Sequence, residues 1–156
     1  PLANLFSVAF FPDQPLLAGG GGSKIRLLRL EEGNQPRWTQ LWERTIPTTG
    51  SIMSVAVSPD GKLMASASSD RTIKLWRAAG SLKTALPVTN TAWSVAFSSD
   101  GTQLAAAIID SSIQRWTLQG QPLPPVQAHQ AEVWDLDYCG QSNRLVSVSS
   151  DRTIKV

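Results

Sequence analysis

The sequence is poor in the residues that carry most enzyme chemistry. It holds one cysteine (Cys139), one histidine (His129) and one tyrosine. One cysteine forms no internal disulfide, so nothing points to an oxidising compartment, and a cytoplasmic location is expected. Its neighbours are strand and turn residues with no basic side chain close by. Cys139 therefore reads as a small, partly buried thiol, not a reactive one. No Cys/His cluster is available to hold zinc. Charge is scarce too: charged residues make up 17%, and the formal net charge is +2. That balance leaves no footprint for nucleic acid. The one basic run, Lys24–Arg29, alternates charge with aliphatics and reads as a strand with one solvated face. No stretch approaches the roughly 18 apolar residues of a membrane span. No basic leader opens the chain, so no signal peptide is expected. No initiator methionine opens it either, and the chain is expected to start inside a longer one.

What is present is repetition. The heptapeptide SSDRTIK occurs at Ser68–Lys74 and again at Ser149–Lys155. Four longer segments align, beginning at Leu5, Ile52, Ala92 and Val133. Equivalent positions Ser7, Ser54, Ser94 and Asp135 are 47, 40 and 41 residues apart. Within each unit, runs such as SVAFS and SVAVS alternate with the period of a strand. Pro59-Asp60-Gly61 and Ser99-Asp100-Gly101 supply glycine where a turn needs positive φ. LMASAS is a second strand of small residues, Ser69-Asp70-Arg71 a second turn, and TIKLW a β-branched third strand. Thr39–Arg44, Ser81–Leu86 and Gln121–Val126 are candidate fourth strands, the last an outer edge because of its prolines. No segment shows a helical period.

Four-stranded antiparallel units at a period of about 40–45 residues are the signature of propeller blades. In this wording (SVAVSPDGKLMASASSDRTIKLW and its copies) the chain resembles the WD-repeat proteins along nearly its whole length. The wording is closest to the regular WD-repeat arrays common in bacteria. The resemblance implies an all-β propeller of about four blades, approximately 1–44, 45–87, 88–128 and 129–156. The fourth blade stops before its tryptophan and outer strand. A larger ring, of seven blades for example, is therefore expected. The first unit departs from the pattern. It has Gly19–Gly22 in its second strand, Leu28 where tryptophan is expected, and no acid matching Asp70. That blade is expected to be the softest, since glycine orders poorly in a strand. Gly19–Gly22 lacks the Gly-Lys-Ser/Thr of a phosphate loop.

Three constellations call for weighing. His129, Ser147 and Asp151 have the residue types of a hydrolytic triad. The resemblance implies instead a hydrogen-bonded structural set of His, Ser, Asp and Trp within one blade, with the serine open to an offset of two residues. The second blade keeps Ser66, Asp70 and Trp76, with Thr48 at the His position. The third keeps Asp110 and Trp116, with Val88 and Ala106 in place of the polar partners. Decay of the set in some blades fits stability and not catalysis. Asp135 and Asp137 share one strand face, roughly 7 Å apart. Paired carboxylates can bind a cation, but solvated channel acids are the stronger reading. The third constellation is a row of bulky apolar residues at one repeat position: Phe6, Met53, Trp93 and Trp134. The resemblance places them near the channel's rim, where partners dock, and Ser69, Ile109 and Ser150 share that rim. Tryptophan is a favoured interface hot spot. Packing between blades outweighs this, because Trp93, Val95 and Phe97 share a face by strand parity.

These readings converge on a non-catalytic scaffold for other proteins or peptides, with no cofactor, metal, nucleic acid or membrane. The alternative is a regulatory or sensing arm of a larger bacterial signalling protein with an NTPase or kinase domain. A propeller enzyme finds no cluster of acids or metal ligands beyond Asp135 and Asp137. An open set of about four blades bares two end faces, so the chain is expected to self-associate. Two copies completing an eight-bladed ring are conceivable, with both seams short of an outer strand.

Overall fold

A computed structural model describes residues 5–46, 50–140 and 143–156. Thr48 lies outside the described residues. The described strands form four antiparallel sheets stacked in chain order. The first holds β1 (Ser7–Phe10), β2 (Leu16–Gly21), β3 (Lys24–Glu31) and β4 (Arg37–Thr45). The second holds β5 (Ile52–Val57), β6 (Leu63–Ser68), β7 (Thr72–Arg77) and β8 (Leu82–Pro87). The third holds β9 (Ala92–Phe97), β10 (Gln103–Ile108), β11 (Ile113–Thr117) and β12 (Pro122–Val126). The fourth holds β13 (Val133–Cys139), β14 (Arg144–Ser149) and β15 (Ile154–Lys155). No helix among the described residues is long and apolar enough to cross a membrane. This is the all-β stack of blades that the repeat predicts.

Within each sheet strand order follows chain order, because consecutive strands pair antiparallel. The turns show why. Gly61 and Gly101 have φ of 67° and 68°, in the left-handed region that glycine adopts freely. Ser58 and Asp60 lock the first of these turns: the Ser58 hydroxyl donates to Asp60 at 2.6 Å, and Asp60 accepts from Lys62 N–H at 3.0 Å. The turn after the second strand uses a residue the sequence does not flag. Arg71, Ser111 and Arg152 all sit at positive φ, 63° to 69°. The preceding acid holds that turn, as when Asp70 accepts from both Thr72 N–H and the Thr72 hydroxyl.

The core lies in the seams between sheets. In the first seam Ala18, Ile25 and Leu27 pack with Ile52, Val55 and Met64. The second seam joins Ala65, Ala67, Ile73 and Leu75 to Val95 and Phe97. The third joins Ala105, Ala107 and Ile113 to Val133 and Leu136. Small second-strand residues let the sheets approach closely. Gly20 belongs to this pattern: its backbone lies so near Val55 and Ile52 that a Cβ would meet them at 2.5 and 2.7 Å. The glycines of β2 are thus buried, and Gly20 faces a seam, which strand propensity alone does not reveal.

Two expectations are corrected here. Lys24–Arg29 is a strand, but its charges do not share a solvated face. Arg26 is 5% exposed and donates to Glu43 at 2.6 Å. The Lys24 ammonium and then the Arg26 guanidinium hold the Glu43 carboxyl below its usual range. Cys139 is exposed, not partly buried, because it closes β13 opposite Arg144 at the hairpin end.

Candidate functional site

The inner strands β1, β5, β9 and β13 lie side by side. Their starts bring the bulky residues together. In β5, Ile52 pairs with Ser68 and Ser54 with Ala67, so Met53 is an extra residue. In β9, Ala92 pairs with Ile108 and Ser94 with Ala107, leaving Trp93 extra. In β13, Val133 pairs with Ser149 and Asp135 with Val148, leaving Trp134 extra. Each is a β-bulge, which re-aims a side chain. This corrects the parity argument: a bulge breaks alternation, so Trp93 does not share a face with Val95 and Phe97 by simple count. A signal for the bulges was present in the sequence. Ile52 and Val55, Ala92 and Val95, and Val133 and Leu136 are apolar at a spacing of three, which a regular strand would put on opposite faces, yet each pair lies in one seam.

The bulges place aromatic side chains on the rim. The Trp93 and Trp134 rings meet at 5.0 Å between centroids and 54° between planes. That tilted geometry is favourable for aromatic pairs. Trp134 remains 45% exposed, and its Nε1–H donates to the Ser150 hydroxyl at 2.5 Å. Trp93 Nε1 is buried without a hydrogen-bond partner among the described residues. Phe6 is 61% exposed at the equivalent position of the first sheet, and Met53 is half-buried. Ser69, Ile109 and Ser150 lie on the same rim. Their N–H groups donate to the carbonyls of Ser51, Thr91 and Glu132, closing the ladder beyond each bulge. The Ser69 hydroxyl is turned inward and accepts from Ser51 N–H at 2.9 Å.

Below the rim, Asp135 and Asp137 join Ser54, Ala56, Ser94 and Ala96 along one open cleft. Both acids are exposed, and each accepts from the N–H of its following residue, at 2.9 and 2.8 Å. No group of three or more His, Cys, Asp or Glu side chains comes together among the described residues.

The His129 set is a closed clasp. Nδ1 of His129 lies 2.8 Å from Asp151 Oδ2, and Nε2 lies 2.8 Å from Ser147 Oγ. Ser147 itself is the partner, with no offset. This is the connectivity of a triad, yet His129 and Ser147 are each 3% exposed. The Ser147 hydroxyl is engaged by His129, and the residue lines a recess together with Ala128, Leu145 and Lys155. The clasp ties the segment before β13 to β14 and its turn. In the second sheet, Trp76 Nε1–H donates to Ser66 Oγ at 3.0 Å. Asp70 there binds Lys74 Nζ at 2.8 Å, both side chains nearly buried. Burial pushes Asp70 up, but Lys74 and Thr72 outweigh it and leave its pKa lowered. In the third sheet, Asp110 accepts from the Thr89 and Ser112 hydroxyls, and Gln114 donates to Thr89. Trp116 is buried above Ala106, and Val88 joins the apolar core. Lys74 and Thr89 are the partners that sequence reasoning missed. One signal existed: the polar residues Arg26, Lys74, Gln114 and Lys155 recur at one position of otherwise apolar strands.

The clasp sets a pH dependence. The Thr153 hydroxyl, with Gln130 N–H and His129, holds the Asp151 carboxyl far below the usual range despite the cost of burial. A depressed folded pKa stabilises the fold above the unfolded value of about 3.9 and loses that contribution as pH falls through the folded one. The urea midpoint of the chain is therefore expected to fall as pH drops from about 5 to about 2. Asp151→Asn is expected to start lower at pH 7 and to show a shallower decline. Identical slopes for the two proteins would remove Asp151 from the account.

A family model described as WD domain, G-beta repeat, matches residues 41–77 and 120–156. Comparison with curated proteins gave no match. The two matched stretches span the second and fourth third-strands, which carry TIKLW and TIKV.

Proposed function

The chain carries repeats of the WD-repeat family, and from that premise we propose that it works as a scaffold docking a protein or peptide on the rim of Met53, Trp93 and Trp134. WD-repeat domains generally mediate protein–protein interactions and typically lack catalysis of their own. The observation that carries this reading is the tryptophan pair. Trp134 presents an exposed face, while the buried Trp93 Nε1–H has no acceptor among the described residues. The proposal assigns the Ser147–His129–Asp151 geometry to stability. It also includes a cytoplasmic location, and association of this chain with itself through its exposed apolar sheet faces.

A second reading makes the domain the sensing arm of a larger bacterial signalling protein with an NTPase or kinase domain. It is favoured by the recurrence of SSDRTIK in the second and fourth units, and the complete reading frame decides it.

The rim is tested by affinity capture with wild type, Trp134→Ala, Trp93→Ala and the surface control Trp38→Ala. A hot-spot tryptophan contributes about 2 kcal/mol or more, roughly 30-fold in Kd. Trp134→Ala is expected to lose the specific ligand to that degree while Trp38→Ala retains it. Equal retention by all four proteins would sink the rim assignment.

A further inference from the structure

The two rim tryptophans are held differently. The Trp134 indole is pinned, because its Nε1–H donates to the Ser150 hydroxyl at 2.5 Å. Ile109 stands at the Ser150 position of the third sheet and offers no such acceptor. Trp93 instead lies against Trp134, with ring centroids 5.0 Å apart. One indole, 45% exposed, is thus held in a fixed pose by a hydroxyl and a neighbouring ring. Of the aromatic side chains, tryptophan attracts a cation to its ring face most strongly.

Carboxylates lie directly beside this pair. The residue after Trp134 is Asp135, and Asp137 follows on the same strand face, roughly 7 Å further along. Both acids are exposed and line the cleft below the rim. On each, Oδ1 accepts from the N–H of the following residue. No lysine, arginine or histidine lines that cleft among the described residues. Arg71 and Arg152, exposed on the turns after β6 and β14, do not line it. A partner seated on the tryptophan pair also withdraws Asp135 from water, and a carboxylate so covered is strongly unfavourable unless it is paired. An acidic or wholly apolar segment meets that penalty. A cationic one removes it.

Resting on the rim reading above, we infer that the occupant is a partner peptide segment carrying an exposed arginine. Its guanidinium lies against Trp134 and donates to Asp135, with Asp137 adding attraction from deeper in the cleft. Arginine meets both demands at once. Its planar cation stacks on an indole face while the N–H groups along its edge donate to a carboxylate. Met53, half-buried on the same rim, gives flanking side chains an adaptable apolar neighbour.

The test is a nuclear magnetic resonance titration of the isotope-labelled chain, followed at the tryptophan indole N–H signals. The probe is a capped Gly-Ser peptide with one central arginine. Its controls are the same peptide with citrulline, which is neutral and nearly isosteric, and with glutamate. The arginine peptide is expected to shift the Trp134 and Trp93 signals and leave Trp38 in place. The citrulline peptide is expected to bind roughly tenfold more weakly or worse. In an Asp135→Asn, Asp137→Asn double variant the arginine peptide is expected to fall to the citrulline level. In wild type its affinity is expected to drop as salt rises, because the contact is partly exposed. Both acids are exposed, so the double variant removes charge without disturbing a packed contact, and far-UV circular dichroism checks its fold. Asp135→Asn and Asp137→Asn singly run the same test if it unfolds. Equal binding of the arginine and citrulline peptides overturns the inference. So does wild-type affinity in the folded double variant, or tighter binding of the glutamate peptide. The two readings fail separately. A captured ligand lost with Trp134→Ala but indifferent to both aspartates keeps the rim and overturns the arginine, whereas indifference to Trp134 overturns both.

Discussion

Replacing Trp76 with alanine is expected to destabilise the chain by about 3–5 kcal/mol, the range for truncating a buried aromatic. Trp76 is 5% exposed and sits in the first seam with Phe11, Ile46, Ile52 and Met64. The loss reaches beyond the side chain. Stacked repeats are stabilised by their neighbours, so a cavity in the second sheet weakens both seams that this sheet forms. Urea denaturation followed by far-UV circular dichroism measures the effect as a lower midpoint. An unchanged midpoint would show that Trp76 is not part of the cooperative core.

The polar part of the same residue separates from its bulk. Trp76→Phe keeps most of the apolar volume but leaves the buried Ser66 hydroxyl without its Nε1–H donor. Orphaning a buried polar group costs about 1–3 kcal/mol. Trp116 supplies the control, since it is equally buried and has Ala106 where Trp76 has Ser66. Trp116→Phe is expected to cost less than Trp76→Phe by roughly the value of that hydrogen bond, about 1 kcal/mol. The reverse order would mean that the tryptophans act through packing alone.

The periodic parts of this fold were open to reading because they are local. Alternation in SVAVS, glycine at Gly61 and Gly101, and the β-branched TIKLW each specify a strand or a turn within a few residues. What escaped was set between strands. A bulge is a property of pairing, so Met53, Trp93 and Trp134 looked like ordinary alternating positions until β6, β10 and β14 fixed their register. Arg26 looked solvated because charge on a strand usually is, and Lys74 drew no reading of its own. Each is buried because a carboxylate from elsewhere meets it: Glu43 from the outer strand, Asp70 from the preceding turn. The acid is repeated, and so is the hydroxyl two residues on that donates to it (Thr72, Ser112 and Thr153), but its further partner is not. Asp151 is held by His129, Asp70 by Lys74 and Asp110 by Thr89. One electrostatic need is met by three side chains from different places, which no single motif describes.

Gly20→Val is expected to be about as damaging as truncating Trp76, and for the opposite reason. Even a Cβ at Gly20 would lie 2.5 Å from Val55 Cγ1 and 2.7 Å from Ile52 Cγ2. Both neighbours are β-branched and buried, so their rotamers give little. Overpacking of this kind costs about 1–3 kcal/mol for a modest excess of volume, and valine adds two methyl groups beyond the Cβ. Strand propensity argues the other way, since valine is favoured and glycine disfavoured in strands. The sign of the effect therefore decides between the two accounts of the glycine run. Gly19→Ala is the matched control. Its Cβ would meet the end of the Leu5 side chain at 3.1 Å, which can swing aside, and Leu28 in ordinary contact at 3.8 Å. It is expected to be neutral or slightly stabilising. A second substitution locates the clash: in a Gly20→Ala background, Val55→Ala is expected to cost less than in wild type, with a coupling of about 0.5–3 kcal/mol. Additive effects, or a Gly20→Val chain with a raised midpoint, would show that the first seam has room to spare and that its glycines are mere tolerance.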